Sequence, residues 1–318
     1  MFDVLALGEA LIDFSPSGPG PMGNPSFEMN PGGAPINCLA ANVRLGGRCA
    51  FIGTVGNDFF GRFLQRSMDK IGIDTSGLVY TDTVPTTIGF VSNNEDGERD
   101  FAFFRDPGTD TMLEAKHVDH RLLKEAKIFH FGSLSLTNEP ARSATYAALE
   151  QCKKNGLQIS FDPNYRESLW PNKETAVAQM KKGAEYADII KVSLEEMAML
   201  TGTAHHQMEE GAQKLAEMGI KAVFVTAGAR GAYYLVDGQR GFTAGYAVKA
   251  IDTTGCGDAF LGAIHFTLCH RPHWPMEEKV QFANASAALC ATGRTGFPAM
   301  PDYSAVEAFL RERLSFEK

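Results

Sequence analysis

Short apolar runs alternate with amphipathic stretches along most of the chain, and this alternation limits the fold more than any other feature. The apolar runs occupy residues 4–7, 50–55, 128–131, 157–161, 189–192 and 222–226. Helical patterns stand between them, for example at 59–71 and 141–152, and the chain is mostly helical from residue 259 onward, through 277–291 and 304–314. Strands that alternate with helices need crossover connections. The pattern therefore predicts an α/β fold with a doubly wound, mostly parallel sheet flanked by helices, whose ligands bind at the carboxyl ends of the strands.

The composition excludes several classes of protein. The chain has 318 residues and a net charge of −8, which argues against a nucleic-acid-binding surface because such a surface needs a basic face. None of its apolar runs approaches the ~20 residues that a membrane helix needs. The N-terminal apolar stretch lacks the basic region of a secretory signal. We therefore expect a cytoplasmic protein with one domain, residues 1–318, that binds neither nucleic acid nor membrane.

Two segments interrupt the alternation of strands and helices. Residues 10–33 are rich in proline and glycine, and residues 84–105 alternate apolar with polar side chains around a polar turn at 93–98. This alternation is typical of strands. Together the two segments predict a small β-sheet outside the main sheet, inserted in the main domain as a candidate lid. A lid that closes over a site excludes water from it.

The stretch from Asp252 to Phe260 indicates a chemistry. Gly255 and Gly257 flank Cys256, and Asp258 follows before a helical pattern. Glycines allow backbone amides to turn inward, and the start of a helix adds its positive dipole end, so the turn predicts an anion site. A carboxylate repels that anion and is better placed as a base for a second substrate, which favours phosphoryl transfer to a hydroxyl. The alternative is a simple helix entry with Asp258 as the N-cap.

Several blocks of the sequence, in order, resemble the ribokinase-like, or PfkB-type, family of carbohydrate kinases. The family's N-terminal signature resembles residues 32–40 with 45–47, and its C-terminal signature resembles residues 252–263, with Cys256 where the family usually has alanine. Further family-like blocks lie at 53–58, 162–164, 226–231 and 284–298. The resemblance spans essentially the whole chain. It implies the ribokinase-like fold and an ATP-dependent sugar kinase.

The resemblance also implies roles for individual residues on the sugar side of the site. Asp258 is the expected base that takes the proton from the sugar hydroxyl. The backbone amides around Gly255, Cys256 and Gly257 are expected to stabilise the charge on the transferring phosphoryl group. The sugar pocket is expected to include Asp13, Gly33 and Asn37.

On the nucleotide side, the resemblance implies a turn for the phosphates and ribose at Thr226, Gly228 and Gly231, with Asn284 in the adenine region. The family's NxxE element, linked to Mg²⁺ and phosphate, corresponds to residues 193–196. Ser193 replaces its asparagine on the nucleotide side, so only Glu196 is carried over as the metal-side residue. One glutamate is a sufficient protein contribution, because Mg²⁺ also uses waters and substrate phosphates. The implied cofactors are ATP and Mg²⁺, and activation by K⁺ stays open.

Within the family, the chain is most similar to bacterial fructokinases. The blocks that carry this similarity lie at 8–14, 101–105, 130–136, 162–166 and 169–170. They imply phosphate transfer to the 6-hydroxyl of D-fructose, with Asn164, Arg105 and Arg166 in the substrate site. The alternative without a functional role is that the two arginines lie on the surface in contact with solvent. Kinases of 2-keto-3-deoxygluconate and of aminoimidazole riboside have the same blocks, less uniformly, so these two substrates are the alternatives to fructose. For the keto acid, Arg105 or Arg166 could bind the carboxylate.

A different class of function is a non-catalytic sugar or nucleotide sensor on the same fold, since a fold does not determine a function. Asp258 favours the enzyme, because a binding protein has no use for a base beside the anion site. A third class, an interaction protein, has only the strands of the lid in its favour. The family resemblance implies that these strands pair two subunits into a homodimer.

Overall fold

The computed structural model of the chain describes residues 1–93 and 99–316. Within these residues the strands form a sheet of nine and a separate sheet of four. In chain order the strands are β1 (Phe2–Leu7), β2 (Leu11–Pro19), β3 (Pro25–Gly32), β4 (Cys49–Gly56), β5 (Asp74–Thr81), β6 (Ile88–Asn93), β7 (Arg99–Phe104), β8 (Ala126–Gly132), β9 (Gln158–Asp162), β10 (Ile189–Ser193), β11 (Ala222–Thr226), β12 (Gly231–Val236) and β13 (Gln239–Ala244).

The larger sheet has the order β13-β12-β11-β10-β9-β8-β1-β4-β5. Its strands from β11 to β5 are parallel, and β12 and β13 add an antiparallel edge. The chain leaves β1 toward β4 and β5, and later continues with β8 on the other side of β1. The order of the strands therefore reverses beside β1, and such a point opens a crevice at the carboxyl ends of the neighbouring strands.

Helices cover both faces of the larger sheet. They are α1 (Ala34–Arg44), α2 (Phe59–Ile71), α3 (Ala141–Asn155), α4 (Lys173–Ala184), α5 (Leu194–Thr201), α6 (Met208–Glu217), α7 (Cys256–His270), α8 (Met276–Ala291), α9 (Gly296–Ala299) and α10 (Tyr303–Phe316). Side chains alternate between the faces along a strand. Val4 and Ala6 of β1 join the core beneath α1, α7 and α8, whereas Leu5 and Leu7 join the core beneath α3 to α6. This two-sided burial explains why the central strands are mostly apolar.

Five of the six apolar runs lie within strands of the larger sheet, and the sixth, 157–161, begins one residue before β9, so the predicted α/β fold with a mostly parallel sheet is confirmed. The helical patterns at 59–71, 141–152, 277–291 and 304–314 correspond to α2, α3, α8 and α10. The sequence patterns missed β5 and the hairpin of β12 and β13. The two edge strands among these, β5 and β13, are only partly buried, so they lack the apolar run that marks a central strand. Within the described residues, no helix combines the length and the apolar character needed to cross a lipid bilayer.

The smaller sheet has the order β3-β2-β6-β7. Its strands fall within the two segments that interrupt the alternation, at 10–33 and 84–105, so the prediction of a small separate sheet is confirmed. Most of the predicted turn at 93–98, residues 94–98, lies outside the described residues. Because β2 follows β1 after only three residues, this sheet begins directly beside the carboxyl end of β1.

Candidate active site

A cavity of about 450 Å³ lies at the carboxyl ends of the central parallel strands. Residues from the loop after β1, from α1, from the loop after β9, from β10 and from the start of α7 line it. Among these lining residues are Glu9, Asp13, Gly33, Asn37, Asn164, Arg166, Lys191, Ser193, Glu196, Gly255, Gly257 and Asp258. Its volume is in the usual range of pockets for small molecules. The structure thus brings together most of the residues that the sequence places on the sugar side of the site.

The wall formed by the start of α7 has the geometry of an anion site. Gly255 precedes the helix with a φ of 80°, in the left-handed region that favours glycine. A Cβ atom at Gly255 would lie 2.6 Å from the Cα atom of Gly296, so the close approach of these two segments also requires glycine. No side chain caps the helix. The first amides of a helix have no partners within it, and together with the helix dipole they attract anions. The amide of Cys256 also donates to the carbonyl of Thr253, at 3.3 Å.

The position of Asp258 excludes one interpretation of the motif. Because the left-handed turn at Gly255 starts the helix at Cys256, Asp258 is the third residue of α7 and lies in its first turn. The N-cap is Gly255. The alternative that Asp258 serves as the N-cap of this helix is therefore wrong.

Two side-chain amides hold the carboxylate of Asp258. Asn37 in α1 donates from Nδ2 to Oδ2 of Asp258 at 2.9 Å, and Asn164 after β9 donates from Nδ2 to Oδ1 at 3.3 Å. Asn164 adopts a φ of 44°, a left-handed conformation that asparagine tolerates better than most residues. Burial raises the pKa of Asp258 to about 6, Asp162 adds to the rise, and Lys191 and the Asn37 hydrogen bond oppose it. A carboxylate with this pKa ionises close to neutral pH, as a general base requires.

Asp13 lies on β2 of the smaller sheet and lines the same cavity. Its carboxylate lies across the neighbouring strand, because a Cβ atom at Gly32 would be only 2.0 Å from Oδ2 of Asp13. Gly32 therefore leaves the room that this side chain needs, a role that sequence reasoning missed. Burial raises the pKa of Asp13 to about 7, and the charge of Arg166 opposes the rise.

Asn37 has a second atom available for a ligand. Its Oδ1 is buried without a hydrogen-bond partner within the part of the chain that the structure describes. Since a buried acceptor usually has a donor, a substrate hydroxyl would satisfy it. Gly33 caps α1 beside it and also lines the cavity.

Glu9 is a buried residue of this wall that the sequence prediction did not assign to the site. Its Oε1 accepts a hydrogen bond from the amide of Ala34 at 2.9 Å, while its Oε2 is buried and lacks a partner among the described residues. Burial raises the pKa of Glu9 to about 8, and the nearby charge of Asp110 adds to the rise. The carboxyl group is therefore mostly protonated at neutral pH, and it can donate a hydrogen bond.

Ser193 and Glu196 form a capping box at the start of α5. Oε2 of Glu196 accepts from the amide of Ser193 at 2.7 Å, and Oε1 accepts from the amide of Tyr165 at 2.8 Å. Each carboxylate oxygen has two lone pairs, so both atoms keep one for a ligand. Glu196 is nearly buried and lines the cavity. One fixed carboxylate beside an anion site fits Mg²⁺, which is usually held by one or two carboxylates, substrate phosphates and waters.

Lys191 lines the cavity and forms an ion pair with Asp162, and the sequence prediction included neither residue in the site. Nζ of Lys191 lies 2.8 Å from Oδ2 of Asp162, and the side chains are 6% and 2% exposed. Asp162 also accepts a hydrogen bond from the amide of Asn164 at 3.1 Å through Oδ1. A signal was present in the sequence, because Lys191 interrupts an apolar strand that is buried on both faces.

The two arginines occupy different environments. Arg166 lines the cavity, and its Nη1 donates to the carbonyl of Tyr165 at 2.9 Å. The described lining of the cavity does not include Arg105. Its Nε donates to Asp110 at 2.7 Å and its Nη2 to the hydroxyl of Thr137 at 3.0 Å, in a buried network. The structure thus places Arg105 behind the cavity wall, neither on the surface nor at the cavity.

The residues expected on the nucleotide side lie at the ends of β10 and β11, in the segment that leads into β12, and in α8. Thr226 ends β11 and pairs in register with Ser193, which lines the cavity. Gly228 follows in the turn before β12, and Gly231 is the first residue of β12. Asn284 in α8 donates from Nδ2 to the carbonyls of Thr243 and Ala244, at 3.1 Å each. Among the described residues that line the cavity, Ser193 is present, and Thr226, Gly228, Gly231 and Asn284 are not.

The sequence matches the family described as pfkB family carbohydrate kinase over residues 1–301. The chain belongs to this family. Curated relatives and solved structures agree with this membership. The kinase is 40% identical to fructokinase-1 of Oryza sativa subsp. japonica over 305 residues, which cover 94% of each chain.

Two solved structures are similar to the kinase over nearly its whole length. The structure of fructokinase with bound ATP from Xylella fastidiosa has a TM-score of 0.88 and 32% identity, and the match covers 98% of the kinase and 99% of that chain. A double mutant of the fructokinase from Vibrio cholerae O395, in fructose, ADP and potassium ion bound form, has a TM-score of 0.87 and 37% identity. That match covers 96% of the kinase and 97% of the other chain. The kinase therefore has the ribokinase-like fold that its sequence resemblance implies.

The raised pKa values in the site predict how activity depends on pH. If Asp13 and Asp258 must both be ionised, kcat/KM falls as the pH drops through about 7 and about 6, with a limiting slope of two on logarithmic axes. In the Asp13→Asn variant the slope becomes one and the midpoint lies near 6. Initial rates at low sugar concentration across pH 5 to 9 measure both profiles. A wild-type profile that stays flat down to pH 5 contradicts the raised pKa values of these carboxylates or their need to be ionised.

Proposed function

We propose that the kinase transfers the γ-phosphoryl group of ATP to the 6-hydroxyl of D-fructose. The observation that carries the proposal is the position of Asp258, whose carboxylate is held by two amides at the start of α7. A base and an anion site lie there in one turn of helix. The similarity to plant and bacterial fructokinases supports fructose as the sugar.

In the proposed step, Asp258 accepts the proton of the sugar hydroxyl while the oxygen of that hydroxyl bonds to the γ-phosphorus atom. The bond between this phosphorus and the oxygen that bridges to the β-phosphate breaks, and ADP leaves with the electron pair. Such a transfer needs position and charge stabilisation more than covalent chemistry from the protein. The amides at Gly255, Cys256 and Gly257 supply the stabilisation through the dipole of α7.

The sugar occupies the part of the cavity between the smaller sheet and α1. Asp13 accepts hydrogen bonds from its hydroxyls, and the unpartnered Oδ1 of Asn37 accepts another. Arg166 and Asn164 complete this pocket from the loop after β9. Arg105 acts on this pocket indirectly, through its ion pair with Asp110 behind the cavity wall. Asp110 lies close enough to Glu9, which does line the cavity, to raise the pKa of Glu9.

The nucleotide extends from α7 across the ends of β10 and β11. Thr226, Gly228 and Gly231 hold its phosphates and ribose, Ser193 lies on the phosphate side, and Asn284 lies at the adenine region. When bound, Mg²⁺ neutralises phosphate charge, and Glu196 is the protein residue that holds it. The proposal also includes K⁺ as an activating ion, because the structure of a similar fructokinase is in potassium ion bound form.

The smaller sheet, from residues 10–33 and 84–105, is the proposed lid of a single domain that spans 1–318. Three of its residues, Leu11, Asp13 and Phe103, line the cavity, so its movement would open or cover the sugar pocket. The same sheet exposes Phe27 and Phe104, at 41% and 64%. Exposed aromatic groups that cluster around Phe90 support pairing with a second copy of the chain. Light scattering that gives the mass of two chains supports the homodimer, and the mass of one chain contradicts it.

Asp258→Asn tests the proposed base. Asparagine keeps the size of the side chain but cannot accept the proton, so we expect kcat to fall by at least about 100-fold while fructose affinity stays nearly unchanged. Coupled assays and calorimetry measure the two quantities. The matched control is Asp237→Asn, in the exposed turn between β12 and β13, where a φ of 47° also suits asparagine. Near-wild-type turnover by Asp258→Asn would refute the mechanism.

A panel of acceptors tests the proposed substrate. We expect the highest kcat/KM with D-fructose among fructose, ribose, 2-keto-3-deoxygluconate and aminoimidazole riboside, and phosphorus–carbon coupling in the product places the phosphate on carbon 6. The same assay in K⁺ and in tetramethylammonium tests activation by the monovalent ion. A better rate with 2-keto-3-deoxygluconate or aminoimidazole riboside replaces the substrate and keeps the mechanism. Tight sugar binding without any turnover would instead support a sensor.

A further inference from the structure

The ammonium group of Lys191 lies directly against the proposed anion site. A Cβ atom built on Gly257 would be 2.9 Å from Nζ of Lys191, so the lysine fills the space that a side chain at position 257 would need. Both Lys191 and Gly257 line the cavity. The charge thus stands beside the backbone amides at the start of α7, on the side that faces a ligand.

The ammonium keeps donors available for such a ligand. An ammonium group has three hydrogen-bond donors. Within residues 1–93 and 99–316, Lys191 donates one side-chain hydrogen bond, to Oδ2 of Asp162 at 2.8 Å. Burial favours the neutral amine, but the carboxylates of Asp162 and Glu196 outweigh this effect and raise the pKa of Lys191 above its usual range. The group therefore remains a cation throughout the range of pH in which the enzyme can work.

Stability does not explain this ion pair. Removing two charges from water is costly, and a pair of apolar residues in the same place is often as stable or more stable. Lys191 nevertheless occupies a strand whose neighbouring positions, Ile190 and Val192, are fully buried apolar residues. A charge that is retained at such a cost, in the wall of a cavity and beside an anion site, indicates a role toward a bound anion.

We propose that Lys191 is a further catalytic residue, whose ammonium contacts the phosphoryl group as it passes from ATP to the sugar. Asp162 is the positioning residue that aims it. The inference rests on the proposed kinase function and concerns the same bond changes: the lysine stays protonated, while the proton of the hydroxyl goes to Asp258 and ADP carries away the electron pair. The cation stabilises the charge on the transferring group and complements the amides of α7.

The test compares two variants that differ only at residue 191. Asp162→Asn keeps an acceptor for the amide of Asn164 and retains Lys191, whereas Asp162→Asn with Lys191→Met removes the whole pair without leaving a buried charge. We expect kcat of the double variant to be about 100-fold lower than that of Asp162→Asn, the scale of one lost electrostatic donor. The melting temperature and the KM for fructose should remain close to each other in the two variants.

Lys279→Met is the matched control, because Lys279 is also a buried lysine but donates to the carbonyl of Pro272 at 3.0 Å, next to α8. We expect its kcat to match wild type. In the wild-type background, Lys191→Arg should recover part of the activity that Lys191→Met loses, because the charge is restored with a different shape. A purely structural role would move melting temperature rather than this order of kcat values.

Each outcome decides between the claims. If wild type phosphorylates fructose and the double variant is as fast as Asp162→Asn, Lys191 only neutralises Asp162 and the inference fails alone. If wild type prefers another sugar of the panel, only the fructose assignment fails, and the same comparison is made on that sugar. If wild type transfers phosphate to no sugar of the panel, the proposed function and the role of Lys191 fail together.

Discussion

The hydrogen bonds from Asn37 and Asn164 to Asp258 are the interaction on which the site depends. They link residues that are 221 and 94 positions apart in the chain, and so they join α1, the loop after β9 and α7 at one carboxylate. The larger sheet makes this meeting possible, because its order reverses beside β1 and leaves a crevice at the strand ends. The geometry of the base is thus a product of the whole α/β fold.

The same site balances charges of opposite sign within a small volume. Asp13, Asp162, Glu196 and Asp258 are carboxyl groups of the site, and Lys191 and Arg166 are the cations beside them. Burial raises the pKa of Asp258 to about 6 and the pKa of Asp13 to about 7, because a buried carboxylate loses its hydration. Arg166 opposes that rise at both groups, and Lys191 and the hydrogen bond from Asn37 oppose it at Asp258. The cations and the amides at the start of α7 also provide the positive field that a phosphate group needs.

The sequence allowed much of the fold to be predicted, because strands buried on both faces are mostly apolar. The exposed edge strand β13 lacked that pattern and was missed. The glycine turn and the resemblance together predicted Asp258 as the base, and Asn37 was predicted from the resemblance alone. The contact between the two residues was found only in the structure. Lys191 and Glu9 escaped prediction, since periodicity does not show which buried charge faces a cavity. Arg105 was predicted to lie in the substrate site. In the structure it forms a buried ion pair with Asp110, five residues later, behind the cavity wall.

The most direct test of the central claim is a crystal structure of the wild-type kinase with D-fructose and a non-hydrolysable analogue of ATP. We predict that the 6-hydroxyl oxygen lies within hydrogen-bond distance of a carboxylate oxygen of Asp258, about 2.6–3.2 Å. The γ-phosphate should lie against the amides of Gly255 to Gly257, in line with that hydroxyl. Fructose bound with its 6-hydroxyl directed away from Asp258, or a triphosphate bound away from the start of α7, would contradict the account.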